Sequence, residues 1–148
     1  MIVVDTSAIV AIVFGEPERQ SFLASIEEAG KALVSAVSVV EARLVVHARR
    51  GQRAVALLDD LLRLPFFEII SPDAATADAA YVAFVVYGKG SGHPAALNFG
   101  DLFSYALAKT TSLPLLFKGD DFARTDVAPA VGKQRIGASG APITRTEN

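Results

Sequence analysis

The sequence predicts an α/β fold in which a central, mostly parallel sheet of four to five strands lies between helices. Short runs of branched apolar residues without polar alternation recur along the chain, and such runs are typical of strands buried on both faces of a parallel sheet. Segments with helical spacing separate these runs, so strands and helices alternate. The first and last strands also end near carboxylates, at the edge where open α/β folds bind their ligands.

The N-terminal part of the chain predicts one strand and two helices. Residues 2–4 are three consecutive branched apolar residues and form the first strand. A short apolar helix follows over residues 7–14, and the Gly-Glu-Pro sequence at residues 15–17 breaks it. The helix of residues 18–29 has an apolar side and a charged side, as a surface helix does, and Gly30 ends it.

The middle of the chain repeats this alternation. Residues 31–35 predict the second strand, and the helix that follows over residues 36–50 ends at Gly51. Over residues 53–64, apolar residues recur at three- and four-residue spacing with polar residues between them, which predicts another amphipathic helix. Pro65 ends that helix, because proline has no backbone N–H to donate within it.

The C-terminal part predicts two further strands and two helices. Residues 66–70 form the third strand, and the alanine-rich helix of residues 73–87 is apolar nearly all round. Such a helix is expected to be buried on more than one side, including against a second subunit. A helix over residues 100–111 and a strand over residues 115–118 complete the alternation, and residues 119–125 form a turn or short helix.

Length and composition limit the class of protein. The chain has 148 residues, of which 51% are hydrophobic, and this predicts one domain with its own core over residues 1–131. Residues 132–148 are polar and glycine-rich and predict a mobile tail. No apolar run approaches the roughly 20 residues of a membrane helix, and no signal peptide is recognisable. We therefore expect a soluble cytoplasmic protein without a membrane partner. The absence of cysteine excludes disulfides, thiolate nucleophiles and cysteine-bound zinc.

Four carboxylates lie at predicted strand ends or helix starts on one edge of the sheet: Asp5, Glu41, Asp101 and Asp120. Each also has a purely structural interpretation. Asp5 is suited to cap the helix after the first strand, and Asp101 to stabilise the first turn of its helix through the helix dipole. Asp120 is suited to form a turn with Asp121. Four such residues on the same edge favour a shared site over separate caps.

Glu41 has two interpretations that depend on where its helix begins. If Ser35 caps a helix that starts at residue 36, Glu41 falls on a largely apolar stripe with Val37 and Leu44. If the helix instead begins at Ser38, then Ser38 and Glu41 form a capping box, in which the Glu41 carboxylate accepts a hydrogen bond from the Ser38 amide. The sequence leaves both starts open.

Carboxylates that converge on one site require a cation. Two of them repel by about 4 kcal/mol at 4 Å and an effective dielectric constant near 20. Oxygen ligands without histidine or cysteine favour Mg²⁺, with Mn²⁺ as its substitute, over zinc. Such an ion lowers the pKa of a bound water and neutralises phosphate, which is the chemistry of phosphodiester hydrolysis.

Four motifs stand out along the chain: Val4-Asp5-Thr6-Ser7-Ala8, the segment from Ser35 to Glu41, Asn98-Phe99-Gly100-Asp101 with the seven residues after it, and the segment from Pro114 to Phe122. Together they resemble the motifs of the PIN-domain family, and the similarity is closest to the VapC-type toxins of bacterial toxin–antitoxin pairs. They cover residues 1–131 in the order and spacing of the family. The resemblance implies a three-layer PIN-like sandwich and a Mg²⁺-dependent endoribonuclease. It also implies a homodimer held inactive by a VapB-type antitoxin, and it allows a larger toxin–antitoxin assembly.

The resemblance also assigns roles to individual residues. Asp5, Glu41 and Asp101 match the acidic positions on which the family relies most. Asp120 fits the fourth position best, and the nearby acids compete with it: Asp121 and Asp126. Thr6 or Ser7 is suited to orient a water on the metal, and Asn98 to bind a carboxylate or the substrate.

A basic cluster predicts where RNA binds. The net charge of −2 gives no general attraction to a polyanion, so contact requires a local basic patch or a metal ion. Arg43, Arg49, Arg50 and Arg53 form such a patch, and Lys118 and Arg124 are further candidates near the metal edge. Contacts of this kind position a strand through its phosphates without reading its sequence. The structural alternative is that Arg49 and Arg50 stabilise the C-terminal end of their helix.

Two other functions compete with the nuclease. A non-catalytic PIN-like binding module would share the fold, although all the main acidic positions are filled in this chain. An aspartate-nucleophile phosphatase would also use a carboxylate after the first strand together with Mg²⁺. Those enzymes carry a second aspartate two positions after the first, and Ser7 stands there instead.

Overall fold

The computed structural model describes residues 1–130, and the predicted tail of residues 132–148 lies outside this part of the chain. Four strands form one sheet in the order β3-β2-β1-β4, and each pair of neighbours is parallel. The strands are β1 (Ile2–Val4), β2 (Ala32–Ser35), β3 (Phe67–Ile70) and β4 (Leu115–Leu116). The helices are α1 (Thr6–Phe14), α2 (Arg19–Ala29), α3 (Ala36–Arg50), α4 (Gln52–Leu62), α5 (Ala74–Tyr87) and α6 (Phe99–Thr111), and a 3₁₀ helix covers Phe122–Arg124.

Alternate residues of β1 enter two hydrophobic cores on opposite faces of the sheet. Ile2 and Val4 pack with buried residues of α1, α2, α3 and α4 on one face. Val3 packs with α5 and α6 on the other face. Successive side chains of a strand point to opposite faces, so a fully apolar strand requires helices on both sides. The predicted three-layer α/β architecture is confirmed.

Parallel pairing brings the carboxyl ends of the strands to one edge of the sheet. The backbone N–H of Asp5 donates to the carbonyl oxygen of Leu116 at 2.9 Å, which extends the pairing of β1 with β4 up to the carboxylate. At the end of β2, Ser35 caps α3 by accepting a hydrogen bond from the N–H of Val37. The first turns of α1 and α3 and the chain after β4 therefore meet at this edge.

The last strand is shorter than the predicted strand of residues 115–118. It pairs only over Leu115–Leu116. Beyond it, the backbone N–H of Lys118 donates to the Ser7 side-chain oxygen at 3.0 Å instead of to a neighbouring strand. The chain therefore leaves the sheet to contact the start of α1. The other predicted helices and strands agree with the structure to within one or two residues at each end.

Helix α5 is less buried in this chain than its composition predicts. It packs mainly against α6 through Ala80 and Ala83, whereas Tyr81 is 68% exposed and Val82 and Val85 are also exposed. Burial of α5 on a second side would therefore require another molecule, such as the second subunit that the sequence analysis allows. Although α5 is apolar, neither it nor any other helix of residues 1–130 is long and apolar enough to span a membrane.

Candidate active site at the carboxyl edge of the sheet

A cleft of about 440 Å³ opens at the edge of the sheet where the strands end. Residues from α1, α3, the first turn of α6 and the segment after β4 line it. Five of the lining residues are acidic, namely Asp5, Glu16, Glu41, Asp101 and Asp121. Two are basic, Arg49 and Lys118, and three are polar and uncharged, Thr6, Ser7 and Asn98. The cleft therefore combines closely spaced carboxylates with two cations at its walls.

Asp5 is both the cap of α1 and a component of the cleft. One carboxylate oxygen, Oδ2, accepts hydrogen bonds from the Ser7 backbone N–H at 2.9 Å and from the Ser7 hydroxyl at 2.7 Å. The other oxygen, Oδ1, is buried in a residue that is only 2% exposed, and it has no hydrogen-bond partner within residues 1–130. A buried acceptor without a partner costs about 1–3 kcal/mol. The capping interpretation therefore accounts for one oxygen and leaves the other available to a cation.

The position of Glu41 follows from the start of its helix. Ser35 caps α3 and the helix begins at Ala36, so the capping box between Ser38 and Glu41 does not form. Glu41 is left free to face the cleft and is half-buried there. Burial raises the pKa of its carboxyl, and the charge of Asp5 raises it further, while the neighbouring Thr6 hydroxyl lowers it. Of the two helix starts that the sequence allowed, the earlier one is correct.

Asp101 is held rigidly in the first turn of α6. Its carboxylate accepts a hydrogen bond from the Asn98 backbone N–H at 2.9 Å, and the Asn98 side chain accepts one from the Asp101 N–H at 2.9 Å. Burial, at 9% exposure, raises the pKa of the Asp101 carboxyl to about 7. The Asn98 bond opposes that rise, and the charges of Asp5, Glu41 and Asp121 add to it. Asp101 therefore caps α6 and also interacts electrostatically with the other acids of the cleft.

The structure places Asp121, and not Asp120, at the cleft. Asp121 lines the cleft and its charge acts on Asp101, whereas Asp120 is exposed and is not among the lining residues. Asp126 lies elsewhere, because it accepts hydrogen bonds from the Tyr105 hydroxyl at 2.6 Å and from the Lys109 ammonium at 2.9 Å. Gly119, with a φ of 98°, makes the turn after β4 that precedes the two aspartates.

The hydroxyl groups of Thr6 and Ser7 support the backbone and the acids of the site. The Thr6 hydroxyl donates to the backbone oxygen of Ser38 at 3.2 Å, which ties α1 to α3. The Ser7 hydroxyl donates to Asp5 and accepts from the Lys118 backbone N–H. In this arrangement both side chains fix the positions of carboxylate-bearing segments.

The predicted basic cluster divides into residues at the cleft and residues away from it. Arg49 lines the cleft, and its guanidinium lies 5.8 Å from the centre of the Phe14 ring. Arg50 lies over the same ring at 5.0 Å, and Arg53 is exposed. Arg43 forms an ion pair with Asp59 at 2.9 Å, which joins α3 to α4. Arg49 is therefore the member of the cluster best placed to meet a substrate in the cleft.

Outside the cluster, Lys118 and Arg124 have defined partners. The Lys118 ammonium pairs with Glu16 and with Glu18, the latter at 3.1 Å. The Arg124 guanidinium donates to the carbonyl oxygen of Pro94 at 3.0 Å. Sequence reasoning missed Glu16, because it lies in the helix-breaking Gly-Glu-Pro segment and has no motif around it. Its role at the cleft becomes visible only through its contact with Lys118.

The PIN domain family model matches residues 2–128 of this chain. The chain belongs to the PIN-domain family. VapC ribonuclease Mb0640 of Mycobacterium bovis is 45% identical to it over 126 residues, which are 85% of this chain and 95% of that protein. The resemblance inferred from the four sequence motifs is therefore confirmed.

Solved structures share the same fold. The VapC20 toxin of Mycobacterium tuberculosis, described as cleaving the sarcin-ricin loop, has a TM-score of 0.70 at 16% identity, covering 86% of this chain and 97% of that one. A toxin–antitoxin complex from Klebsiella pneumoniae has a TM-score of 0.60 at 19% identity, covering 83% and 91% of the two chains. At these identities the similarity establishes the PIN-like architecture alone.

The donor atoms of this PIN domain fit a hard divalent cation. The partnerless Oδ1 of Asp5 and the raised pKa values of Glu41 and Asp101 are the features of carboxylates that lack a neutralising charge. As the side chains stand, no three acidic or histidine residues within residues 1–130 are close enough together to hold an ion. Side-chain rotation of Asp121, the most exposed of the acids that line the cleft, would bring a further carboxylate towards such an ion.

The raised pKa of Asp101 makes stability depend on pH in a definite direction. Between its ordinary pKa of 3.8 and about 7, the native PIN domain binds more protons than the unfolded chain. Stability is therefore expected to fall as pH rises through this window. We expect the melting temperature in EDTA to fall between pH 5 and pH 8, and Asp101→Asn to flatten this decline. Thermal unfolding followed by circular dichroism measures both slopes.

Asp120→Asn is the matched control for this experiment, because Asp120 is exposed and lies outside the cleft lining. It should leave the pH slope as in the wild type. If the melting temperatures of Asp101→Asn and Asp120→Asn depend on pH as that of the wild type does, Asp101 is not the group that binds the additional proton in the native state.

Proposed function

We propose that this PIN-domain chain is a cytoplasmic, Mg²⁺-dependent endoribonuclease and the toxin component of a VapBC-type toxin–antitoxin pair. The convergence of Asp5, Glu41, Asp101 and Asp121 on one cleft, with a buried partnerless oxygen on Asp5, supports the metal-dependent chemistry. The 45% identity to a protein named as a VapC ribonuclease supports RNA as the substrate. Mn²⁺ is expected to substitute for Mg²⁺, because both prefer oxygen ligands.

The four acids have different tasks in this mechanism. Asp5 and Asp101 are held by backbone N–H groups at the starts of α1 and α6, so they form the fixed part of the binding site. Glu41 and Asp121 are less buried. Glu41 already lies against the first turn of α6, and Asp121 completes the site by side-chain rotation. When bound, Mg²⁺ neutralises the scissile phosphate and lowers the pKa of the attacking water. Asp101 must give up its proton for the full set of carboxylates to be charged.

The substrate backbone is expected to enter along the wall formed by Arg49 and Lys118. Both residues line the cleft that holds the acids. Lys118 already has two carboxylate partners, Glu16 and Glu18, so a phosphate must compete with them. Arg49 lies over an aromatic ring and forms no salt bridge with a carboxylate of residues 1–130, and its guanidinium is suited to a phosphate. Arg49 is therefore the main proposed contact, with Arg50 and Arg53 further along the RNA.

Metal-dependent cleavage is the first test of this proposal. Asp5→Asn and Asp101→Asn remove a negative charge at nearly constant shape, and each should reduce Mg²⁺-dependent cleavage of a structured RNA. Mutation of a residue that hydrogen-bonds to a metal ligand lowers metal affinity or activity by about 10–100-fold. Substitution of a ligand itself should reduce cleavage by at least as much. A fluorescently labelled RNA, resolved on a denaturing gel with Mg²⁺ or with EDTA, measures it.

Asp121→Asn and Asp120→Asn distinguish the fourth acid in the same assay. The cleft geometry predicts a large loss for Asp121→Asn and little change for Asp120→Asn. Full activity in both Asp5→Asn and Asp101→Asn would refute the mechanism. If the wild type binds RNA but cleaves nothing with either Mg²⁺ or Mn²⁺, the chain is instead a non-catalytic PIN-like binding module.

Substitution of Arg49 tests the proposed RNA path. Arg49→Gln should weaken binding to RNAs of different sequence by a similar factor, because a phosphate contact is not sequence-specific. The slope of log affinity against log salt should also fall by about one. Fluorescence anisotropy with Asp5→Asn as the background prevents cleavage during the measurement. Arg63→Gln is the control, because Arg63 is exposed, pairs with Asp60 and lies outside the cleft lining, and it should leave the slope unchanged.

A continuous apolar surface supports the homodimer. It is made of two adjoining grooves that share Phe99, and Phe99 is 72% exposed. One groove runs along α3 past Val40 and Leu44, and the other runs along α5 past Tyr81 and Phe84. Exposed apolar surfaces of this kind mark interaction sites in soluble proteins. We therefore propose this surface as the interface between two copies of the chain.

Charge at the centre of that surface should separate the dimer. Phe99→Glu is expected to convert it to a monomer, because association would bury an unpaired carboxylate. Leu57→Glu is the matched control, since Leu57 is 63% exposed but lies on α4 in a different groove. Light scattering after size-exclusion chromatography measures the mass of each variant. A wild-type monomer, or a dimer that Phe99→Glu leaves intact, would contradict the proposed interface.

A VapB-type antitoxin is the proposed protein partner. A toxin–antitoxin complex from Klebsiella pneumoniae shares the PIN-like architecture, which supports such a pairing. The resemblance to VapC-type toxins implies that the antitoxin covers the acidic cleft with its C-terminal segment. Arg49 and Lys118 at the wall of this cleft provide the positive charge that an acidic or carboxylate-bearing segment requires.

A further inference from the structure

The carboxylate of Glu41 lies directly against the backbone of Gly100. A Cβ atom built on Gly100 would lie 2.6 Å from Glu41 Oε1 and closer still to Glu41 Oε2 and the carboxyl carbon. Real Cβ atoms do not approach other atoms this closely. Gly100 is buried in the first turn of α6, immediately before Asp101. Any other residue at this position would therefore displace the end of the Glu41 side chain.

The backbone conformation gives no separate reason for glycine at this position. Gly100 is not among the residues of this chain with positive φ, and it lies inside a regular helix. Alanine is more favourable than glycine in a helix by up to about 1 kcal/mol. Helix formation alone would therefore favour alanine, and the close approach of Glu41 is what requires the glycine.

A buried hydrogen bond fixes the distance between the two helices at the same crossing. The side-chain oxygens of Ser38 and Ser104 lie 3.0 Å apart, and both residues are completely buried. Ser38 precedes Glu41 by one helical turn on α3, and Ser104 follows Asp101 by one turn on α6. The bond therefore sets the separation of α3 and α6 one turn away from both carboxylates.

We propose that Gly100 is a positioning residue for Glu41. Its lack of a side chain lets the Glu41 carboxylate lie against the first turn of α6, next to Asp101, where both acids can bind the same divalent cation. The Ser38–Ser104 bond holds the helices at the separation that makes this contact close. The proposal rests on the proposed metal-dependent function. In it, Gly100, which has no side chain, determines how the metal ligands Glu41 and Asp101 are arranged.

The collision affects the part of Glu41 that moves most easily. The atoms that a Cβ would meet all belong to the carboxyl end of the Glu41 side chain and not to the backbone. Gly100→Ala is therefore expected to fold while turning the carboxylate away from Asp101. The expected effect on metal binding is a loss of about 10–100-fold in Mn²⁺ affinity, the range found for residues that orient ligands.

The experiment is a double-mutant cycle between positions 41 and 100. Isothermal titration calorimetry measures Mn²⁺ affinity for the wild type, Gly100→Ala, Glu41→Ala and the double variant. If Gly100 acts through Glu41, then Gly100→Ala weakens binding in the wild type and causes no further loss once Glu41 is alanine. Unchanged affinity in Gly100→Ala, or an equal loss in both backgrounds, overturns the proposal.

Melting temperatures of the same four proteins in EDTA test the contact without metal or activity. In the Glu41→Ala background the added methyl group meets no carboxylate, so Gly100→Ala should raise the melting temperature, by about 3 °C. In the wild type the effect should differ from this by about 2 °C or more, because the carboxylate must move. Equal effects in both backgrounds overturn the positioning role.

The two readouts separate failure of this inference from failure of the proposed function. A wild type that neither binds Mn²⁺ nor cleaves RNA overturns the proposed function, and the metal role of Gly100 with it, whatever the melting temperatures. If Gly100→Ala does not fold, the double variant is still expected to fold, since it lacks the collision. An unfolded double variant means that alanine fails at position 100 for a reason other than Glu41, and this also overturns the proposal.

Discussion

Repulsion between carboxylates that the fold forces together is the constraint on which the rest of this site depends. Asp5 and Asp101 are almost completely buried, and the burial of Asp101 together with the charges of its neighbours raises its pKa to about 7. A protein gains no stability from such an arrangement, because burial of an ionised group costs free energy unless it is paired. The buried cluster therefore lowers the stability of the chain, and the proposed cation would offset this cost by pairing with the carboxylates.

The positions of Asp5 and Asp101 at helix N-termini partly offset this cost. Asp5 caps α1, and Asp101 completes a capping box at the start of α6. Free N–H groups and the positive end of the helix dipole partly stabilise both carboxylates. The structural and functional interpretations of these residues are thus not alternatives. A cap satisfies one oxygen of Asp5 and orients the residue, while the other oxygen, Oδ1, is buried without a hydrogen-bond partner among the described residues.

Much of this arrangement could be predicted from the sequence, because the signals were local. Three consecutive branched residues identify β1, and the residue after them identifies the edge of the sheet where Asp5 lies. The choice between Asp120 and Asp121 could not be predicted, since the two are adjacent in a turn that no helical or strand periodicity describes, and only the structure shows that Asp121 lines the cleft. The exposure of one side of α5 could not be predicted either. An apolar helical pattern does not show whether residues of the same chain or of another molecule cover the helix.

The first turn of α6 contributes to both the acidic cleft and the apolar surface through three consecutive residues. Phe99 projects into the apolar surface, Gly100 contacts the Glu41 carboxylate, and Asp101 lines the cleft. Glu41 itself borders both the acidic cleft and the apolar groove along α3. The proposed dimer contact and the proposed cation site therefore share this turn of α6, because Phe99 and Asp101 belong to the same helical turn.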